Sequence, residues 1–369
     1  MRLFFLVLTA AAVAFPQIAA DQFRLNQIQV LGSHNSYKQA IDPSLLQLLR
    51  KDDPQRYRSL EYEHVSLTEQ LDLGLRKLEL DVVHDLQGGL YAEPLGLQWV
   101  SEARLPAGPK YDPDKLMTAP GLKVLHVPDI DFRSNVYTFK QALQELKTWS
   151  DAHPRHLPIL ITMNAKDVGA SDEVDFARPL RFDREAFDSW DAEIREVLPR
   201  QKLLTPDDVR GEFDTLENAV QSHAWPTLGE SRGRFLFILD ETGPKLETYV
   251  QGHPSLTGRV MFVNAREGRP EAAIRIINDP IADFYYIQKL VRDGYVVRTR
   301  ADAGTQEARV GDYGRTNAAF ASGAQFISTD YYLPNEAFGT GYQVKLPGGG
   351  PGRWNPLLLP PLDVSSPFE

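Results

Sequence analysis

The sequence predicts a (β/α)8 barrel, a TIM-type fold that forms a single catalytic domain. Short apolar runs rich in β-branched residues recur along the chain, and segments with helical spacing of apolar residues separate them. Most runs are apolar on both faces, which is typical of parallel strands covered by helices on two sides. The eight candidate strands are residues 28–31, 77–83, 123–127, 158–164, 234–240, 259–263, 295–300 and 325–329.

An open, doubly wound sheet is the second candidate fold. That fold usually binds a dinucleotide at a Gly-rich turn after its first strand, and no such fingerprint follows any of the runs. The barrel is therefore the preferred interpretation.

Helix signals lie between the strands. Ser66 followed by Glu69 has the pattern of a capping box, and Gly74 is placed to end that helix. A Thr-Pro-Asp-Asp sequence at 205–208 is a helix start, because proline fits the first turn and the acids favour it. Further helices are expected at 139–150, 184–198, 281–292 and 305–322.

Two segments interrupt the alternation of strand and helix. Residues 91–121 are rich in Pro and Gly, and a loop of that length is usually functional or mobile. Residues 339–369 are also crowded with Pro and Gly, and we expect a tail that packs on the barrel or is partly disordered. The expected division is a signal peptide at 1–20, the barrel at 21–338 and the tail at 339–369.

The N-terminus has the pattern of a secretory signal peptide. Arg2 precedes an apolar run at 3–14, and small residues lead to a cleavage position after Ala19 or Ala20. An uncleaved membrane anchor is the alternative, although the run is short for a bilayer span. The sequence thus predicts a secreted or periplasmic protein.

Composition excludes several classes of site and partner. The chain has no cysteine, so disulfides and thiolate metal sites are excluded and any metal must be bound by oxygen or imidazole. The formal net charge is −10, which argues against nucleic acid as a partner and against strong attraction to anionic membranes. No protein partner is predicted.

Polar groups cluster where the candidate strands end. Catalytic groups of a (β/α)8 barrel lie at the carboxyl ends of its strands, and four successive runs carry such groups. These groups are His34 and Asn35 after the first run, Glu79 and Asp81 on the second, His126 after the third, and Asn164, Lys166 and Asp167 after the fourth.

Glu79 and Asp81 are two positions apart on one strand and therefore share a face. Two carboxylates in an apolar run repel each other unless a cation joins them. A hard divalent ion answers that need, and Asn35 and Asn164 offer further oxygens. The alternative is a structural ion pair with Lys77, which lies on the same face.

His34 and His126 are candidates for an acid–base pair. Histidine titrates near neutrality, and each of these two ends a strand beside other polar groups. The remaining six histidines are interpreted as structural or simply exposed, and His84, which follows the second run, is the most arguable of them. From the residues alone, the site is that of a barrel hydrolase or lyase with one hard metal and two histidines.

Several motifs in this order resemble the calcium-dependent phosphatidylinositol-specific phospholipase C family, most closely its secreted microbial branch. The motifs together cover most of residues 26–332. They are Gly32-Ser33-His34-Asn35-Ser36-Tyr37, Glu79-Leu80-Asp81-Val82, Val124-Leu125-His126, Trp225-Pro226-Thr227-Leu228-Gly229-Glu230-Ser231-Arg232-Gly233, Val297-Arg298-Thr299-Arg300-Ala301-Asp302 and Ser322-Gly323-Ala324-Gln325-Phe326-Ile327-Ser328-Thr329-Asp330.

The resemblance implies a distorted barrel that binds one calcium ion, magnesium being the less favoured metal. It implies that Asn35, Glu79 and Asp81 are metal ligands and that His34 and His126 are catalytic. The family usually has a carboxylate at the end of the fourth strand, where this chain has Asn164, with Asp167 three residues later. The resemblance also implies that Lys166 and Arg300 bind the substrate.

The implied reaction is attack of the inositol 2-hydroxyl on phosphorus, which releases diacylglycerol and a cyclic inositol phosphate. His126 would protonate the leaving oxygen and His34 would stabilise the phosphoryl group, although these two roles can be exchanged. The expected partner is an inositol phospholipid, with transient contact to a membrane surface through the 91–121 segment, which includes Leu95, Leu97, Trp99 and Val100.

Two other functions are compatible with parts of the sequence. A glycerophosphodiester phosphodiesterase also uses a barrel, two histidines and a Glu-x-Asp pair, but that family has a His-Arg pair where this chain has His34 and Asn35. A catalytically impaired, secreted binding protein on the same barrel is the second alternative, and Asn164 is the feature that favours it.

Overall fold

The computed structural model describes residues 20–359 and shows a nearly closed barrel of eight parallel strands. The expected fold class is confirmed. The signal peptide expected at 1–20 lies, except for Ala20, outside the described residues. The barrel strands are β1 (Ile28–Ser33), β2 (Lys77–Asp85), β4 (Ile159–Ala165), β5 (Phe235–Leu239), β6 (Met261–Val263), β7 (Ile274–Ile276), β8 (Val296–Arg300) and β9 (Phe326–Thr329).

The strand order is β6-β5-β4-β2-β1-β9-β8-β7, and every neighbouring pair in this order is parallel. Within residues 20–359, β6 and β7 share no ladder, so the barrel is open at this seam. The Asn264 side chain bridges the seam, because its Oδ1 accepts the Ile276 backbone N–H at 3.1 Å and an Arg275 N–H at 2.9 Å.

The prediction of 123–127 as the third barrel strand is wrong. That segment contributes to β3 (Gly121–Val124), which pairs antiparallel with the outer end of β2, Val82 lying opposite Val124. A run of apolar residues predicts a buried strand but does not give its direction, which explains the error. The true eighth strand is β7, whose three residues are too few to show a strand pattern.

A short strand, β10 (Arg353–Trp354), pairs antiparallel with β1, so the tail packs on the barrel as far as the described residues extend. The helices predicted at 139–150, 184–198 and 281–292 are present, with bounds that differ by at most three residues. Residues 20–359 form thirteen α-helices. They are α1 (Pro43–Asp52), α2 (Pro54–Arg58), α3 (Leu67–Asp72), α4 (Leu95–Glu102), α5 (Phe139–Ala152), α6 (Arg184–Val197), α7 (Pro206–Arg210), α8 (Leu216–Gln221), α9 (Leu228–Ser231), α10 (Pro244–Val250), α11 (Phe284–Arg292), α12 (Gln306–Val310) and α13 (Gly314–Ala321).

Local sequence signals explain several helix ends. The capping box predicted at Ser66 is present, since its hydroxyl accepts the Glu69 N–H and the Glu69 carboxylate accepts the Ser66 N–H. The segment 305–322, predicted as one helix, is two helices. Gly311 adopts a left-handed conformation with φ of 70°, which ends α12 before α13 begins.

The segment 91–121, predicted as a loop, contains α4 and packs against α1 and the loop after β3. Val100 is buried, and Leu95, Leu97 and Trp99 are half-buried. Trp99 contacts Phe176 at a ring distance of 5.6 Å. The apolar side chains of this segment therefore cover the protein.

No helix within residues 20–359 is long and apolar enough to cross a membrane.

Gly32 allows β1 and β2 to approach each other beside the candidate site. Gly32 lies opposite Lys77, and a Cβ at position 32 would stand 2.2 Å from the Lys77 carbonyl oxygen. This clash involves backbone, so the strands themselves would have to move apart. The glycine of the Gly-Ser-His-Asn motif is thus required by packing.

Gly32→Ala is expected to lower the free energy of unfolding by about 1–3 kcal/mol, the usual cost of overpacking, and to reduce activity. Urea denaturation and an activity assay would measure both effects. Gly314→Ala is the control, because its Cβ would meet only the Asp312 carboxylate, and helix α13 favours alanine there. Equal stability of the two variants would contradict the packing argument.

Candidate active site

The loop after β1 is fixed to the edge of β2 at the barrel mouth. The Ser36 hydroxyl accepts the Glu79 N–H at 2.8 Å, and the Ser36 N–H is donated to the Glu79 carbonyl at 2.9 Å. Asn35 begins this turn with φ of 48°, a left-handed conformation that asparagine tolerates well. These contacts hold His34 beside the side chain of Glu79.

His34 is oriented by a carboxylate at the end of β9. Its Nδ1 lies 2.9 Å from Oδ1 of the buried Asp330, and its Nε2 lies 3.3 Å from an Arg300 nitrogen and 3.7 Å from Glu79 Oε1. Arg300 also donates to Asp330 Oδ2 at 3.1 Å. A proton on Nδ1, directed to Asp330, leaves Nε2 as the basic nitrogen that faces the mouth.

Burial and the Arg300 charge lower the pKa of His34, and the Asp330 and Glu79 carboxylates oppose this shift only in part. The imidazole is therefore neutral near pH 7. Burial alone would raise the pKa of Asp330, but His34 and Arg300 lower it to about 2, so this carboxylate stays ionised.

Glu79 lies at the centre of the mouth between basic side chains. Its Oε2 accepts hydrogen bonds from Lys77 and Arg298, each at 2.6 Å. Burial would raise the pKa of Glu79, but Arg298 and Lys77 hold it well below its ordinary value. Burial also lowers the pKa of Lys77 to about 7, so Arg298 is the permanent counter-charge.

Asp81 contacts two side chains from the end of β4. Asn164 Nδ2 lies 2.8 Å from Asp81 Oδ1 and 3.4 Å from Glu79 Oε1, so the amide bridges the two carboxylates. Lys166 Nζ lies 3.2 Å from Asp81 Oδ2. The Asp81 charge raises the pKa of Lys166 despite partial burial, which keeps the ammonium charged.

His126 reaches the mouth although β3 is antiparallel to the barrel. β3 starts above the rim and runs back along β2, so the residues after Val124 return toward the mouth. His126 Nδ1 lies 2.7 Å from Oδ2 of the buried Asp131. Lys38 Nζ pairs with Asp131 Oδ1 at 3.2 Å and stacks over Tyr62, which ties His126 to the loop after β1.

The structure brings most of the predicted residues together. Glu79, Asp81 and Asn164 meet, with Lys166 on Asp81 and with His34 and Arg300 on the other side of Glu79. The Asn35 amide N–H donates a hydrogen bond to the Tyr62 hydroxyl at 2.8 Å, a contact that uses the nitrogen and not the metal-binding oxygen. Asp167 is paired with Lys245 at 2.8 Å, which leaves Asn164 as the group at the carboxylate pair.

Sequence reasoning missed three residues of the site. Asp330 directly follows β9, so the rule that placed the other strand-end groups could have found it. Arg298 lies on β8 and faces the barrel interior, a direction that strand alternation could have given. Asp131 had no such signal, because its approach to His126 depends on the turn in which residues 127 and 131 form a bridge.

The fold and these contacts define a class of protein: a (β/α)8 barrel whose mouth carries two carboxylate-backed histidines and a carboxylate pair. The chain belongs to the family described as phosphoinositide phospholipase C, Ca²⁺-dependent, whose model matches residues 23–356. The family's enzymes are phosphoric diester hydrolases. A search of curated protein sequences finds no match.

Solved structures show the same fold at low sequence identity. A calcium-dependent phosphoinositol-specific phospholipase C from Pseudomonas sp., solved as an apo form with myoinositol, is 18% identical, with a TM-score of 0.54 over 94% of this chain and 100% of that one. A Ca²⁺-dependent phosphatidylinositol-specific enzyme from Streptomyces antibioticus is 18% identical, with a TM-score of 0.53 over 84% and 95%.

Asp330→Asn is expected to reduce kcat by about 10²- to 10⁴-fold, because an amide stabilises the wrong tautomer of a partner histidine. Nitrogen NMR of the labelled imidazole would show the proton of His34 moving away from Nδ1. Asp131→Asn is the control, since it should lower kcat through His126 and leave the His34 signals in place. An unchanged His34 tautomer in Asp330→Asn would contradict the assignment.

Proposed function

We propose that this enzyme cleaves the phosphodiester of phosphatidylinositol and releases diacylglycerol and a cyclic inositol phosphate. The observation that supports it is the pair of buried carboxylate–histidine contacts, His34 with Asp330 and His126 with Asp131, on one barrel mouth. Two histidines held in fixed tautomers suit a reaction that removes one proton and delivers another.

His34 is the proton acceptor in this proposal. Its imidazole is neutral, and Nε2 faces Glu79 and Arg300 at the mouth. Glu79 itself is a weak base, because its pKa is held low by Arg298 and Lys77. His34 therefore takes the proton of the inositol 2-hydroxyl as the oxygen forms its bond to phosphorus.

His126 is the proton donor. As the bond between phosphorus and the glycerol oxygen breaks, that oxygen gains a proton from His126, whose ring is held in place by Asp131. Arg300 and Lys166 are the basic groups that neutralise the phosphoryl oxygens. Both are half-buried at the mouth, where a phosphate can reach them.

A calcium ion fits the donor set at the mouth. Residues 20–359 contain no cluster of three or more His, Cys, Asp or Glu arranged for a metal, but the Asn164 amide joins Glu79 and Asp81, and amide oxygens also bind calcium. Glu79, Asp81 and Asn164 would hold one ion once the Asn164 amide turned its oxygen, in place of Nδ2, toward the carboxylates. Asn35 would contribute its oxygen while its Nδ2 stays on Tyr62. A bound metal lowers the pKa of the attacking hydroxyl and neutralises phosphoryl charge.

Family membership argues against both alternative functions. The matched model describes phospholipase C enzymes, which disfavours a glycerophosphodiester phosphodiesterase, and the intact His–Asp pairs disfavour an impaired binding protein.

We further propose secretion to the periplasm or the medium, on the pattern of the first 20 residues. A net charge of −10 favours an inositol headgroup without ring phosphates.

Phosphorus NMR should show a cyclic inositol phosphate when the enzyme acts on phosphatidylinositol with calcium, and chelation with EDTA should stop the reaction. His34→Ala and His126→Ala should each lower the rate by at least about 10²-fold. His153→Ala is the control, because His153 is exposed at the end of α5 and contacts Trp149. Preference for soluble glycerophosphoinositol, with a monoester product, would refute the proposal.

The membrane contact is better assigned to the rim after β7, β8 and β9 than to the 91–121 segment, whose apolar side chains pack inward. Ten of the twelve exposed large apolar side chains in the described residues follow the carboxyl end of a barrel strand, around the site. Six of them follow three adjacent strands and form what we call the apolar rim: Ile281, Tyr285, Tyr286, Val310, Tyr313 and Leu333.

Exposed apolar side chains on one end of a protein mark an interaction surface, and tyrosine suits the membrane interface. The apolar rim is therefore proposed to rest on the bilayer that contains the inositol lipid. Tyr285 is its most exposed member at 81%. The mouth then faces the lipid headgroups.

Replacing both Ile281→Asn and Tyr285→Ser should lower cleavage of phosphatidylinositol in vesicles by about tenfold or more, since each buried apolar side chain is worth roughly 1.5–3 kcal/mol. Cleavage of a short-chain, water-soluble phosphatidylinositol should not change. Leu73→Ser is the control, because Leu73 is exposed before β2 at the opposite end of the barrel. Equal losses on both substrates would contradict the rim assignment.

A further inference from the structure

Lys166 forms an ion pair with Asp81, one of the two carboxylates to which a divalent cation would bind. Its Nζ lies 3.2 Å from Asp81 Oδ2, and about a third of its side chain, 32%, is exposed. Its backbone N–H is donated to the Val82 carbonyl at 2.8 Å, which fixes the start of the side chain at the rim. The ammonium therefore stands at the solvent side of the carboxylate pair.

The charges of the pair are already balanced without a metal. Asp81 has Lys166, and Glu79 has Arg298 at 2.6 Å, so each carboxylate has one cationic partner. Lys77 adds a third basic group at 2.6 Å from Glu79, and Asn164 adds no charge. The two carboxylates are thus matched by basic partners, and a divalent cation would bind them against the repulsion of those partners.

Lys166 can move away from its carboxylate more easily than Lys77 and Arg298 can. Lys77 and Arg298 are buried and hold further partners, the Ser33 carbonyl at 3.0 Å and the Ser328 hydroxyl at 2.9 Å. Lys166 is partly exposed on a flexible four-carbon stem, which can change rotamer. It is also placed at the end of the strand where a substrate phosphate would enter.

We propose that Lys166 is a displaceable counter-ion that couples metal binding to substrate binding. In the free enzyme it pairs with Asp81. The phosphate of the substrate draws the ammonium away, which releases Asp81 Oδ2 for calcium and adds a negative charge beside the metal. The inference rests on the proposed function, because it takes Glu79 and Asp81 as metal ligands. By linkage, calcium raises the affinity for the phosphate to the same extent.

Isothermal titration calorimetry on the intact enzyme would test the coupling without any activity readout. Calcium affinity is measured alone, with saturating myo-inositol 1-phosphate and with neutral myo-inositol, while an electrode reports free calcium. The phosphate should tighten calcium binding by about tenfold, within the usual range of coupling between sites, and the neutral sugar should not.

Lys166→Met should bind calcium about tenfold more tightly than the natural enzyme in the absence of phosphate, and myo-inositol 1-phosphate should then give no further gain. Lys245→Met is the matched control. Lys245 lies on neighbouring α10 and pairs with Asp167 and Glu241, at 2.8 and 3.2 Å, instead of with Asp81. It should bind calcium as the natural enzyme does and show the same response to phosphate.

The inference is overturned if Lys166→Met binds calcium no more tightly than the natural enzyme, if the phosphate leaves the natural enzyme's affinity unchanged, or if neither protein binds calcium. Phosphorus NMR of the reaction with phosphatidylinositol separates this from a failure of the proposed function. A cyclic product without coupling removes only the role of Lys166, whereas absence of that product removes the proposed function.

Discussion

Glu79 is a buried carboxylate whose two basic partners come from different parts of the barrel. Lys77 lies on the same strand, whereas Arg298 reaches Glu79 from β8 across the interior, because β1 and β9 separate β8 from β2 in the sheet. A buried charge is costly unless it is paired and hydrogen-bonded. The ion pair therefore fixes the relative position of opposite barrel walls, and the groups of the mouth are arranged around it.

This arrangement gives neighbouring ionisable groups opposite protonation behaviour. Arg298 and Lys77 keep Glu79 ionised, so it is a poor proton acceptor, while burial beside Arg300 keeps His34 neutral and basic. When the environments of neighbouring groups push their pKa values apart, similar residues can take different roles in one site. His126 is held by a separate carboxylate, Asp131, which belongs to a turn outside the barrel strands.

The sequence predicted the barrel and the meeting of Glu79, Asp81, Asn164 and Lys166, because period-two alternation and strand ends place these groups without knowledge of distant contacts. It failed where placement depends on tertiary contacts. The direction of β3 was missed because a four-residue apolar strand has the same pattern whether it is parallel or antiparallel. The Arg298–Glu79 pair spans 219 residues and has no local signature.

Asn164, which stands where the family usually has a carboxylate, affects the charge balance of the site. A third carboxylate beside Glu79 and Asp81 would add a charge that Lys166 and Arg298 do not balance and that Lys77, whose pKa is lowered to about 7, balances only in part. With Asn164, the two carboxylates are balanced by the protein's own side chains, and the amide still bridges them. A stable metal-free enzyme and strong metal binding place opposite demands on these charges. The ammonium of Lys166, which neutralises Asp81 in the metal-free enzyme, competes with the metal for the same carboxylate. In the coupling that we propose, a phosphate that attracts Lys166 would resolve this conflict, because it would remove the competitor of the metal when the substrate binds.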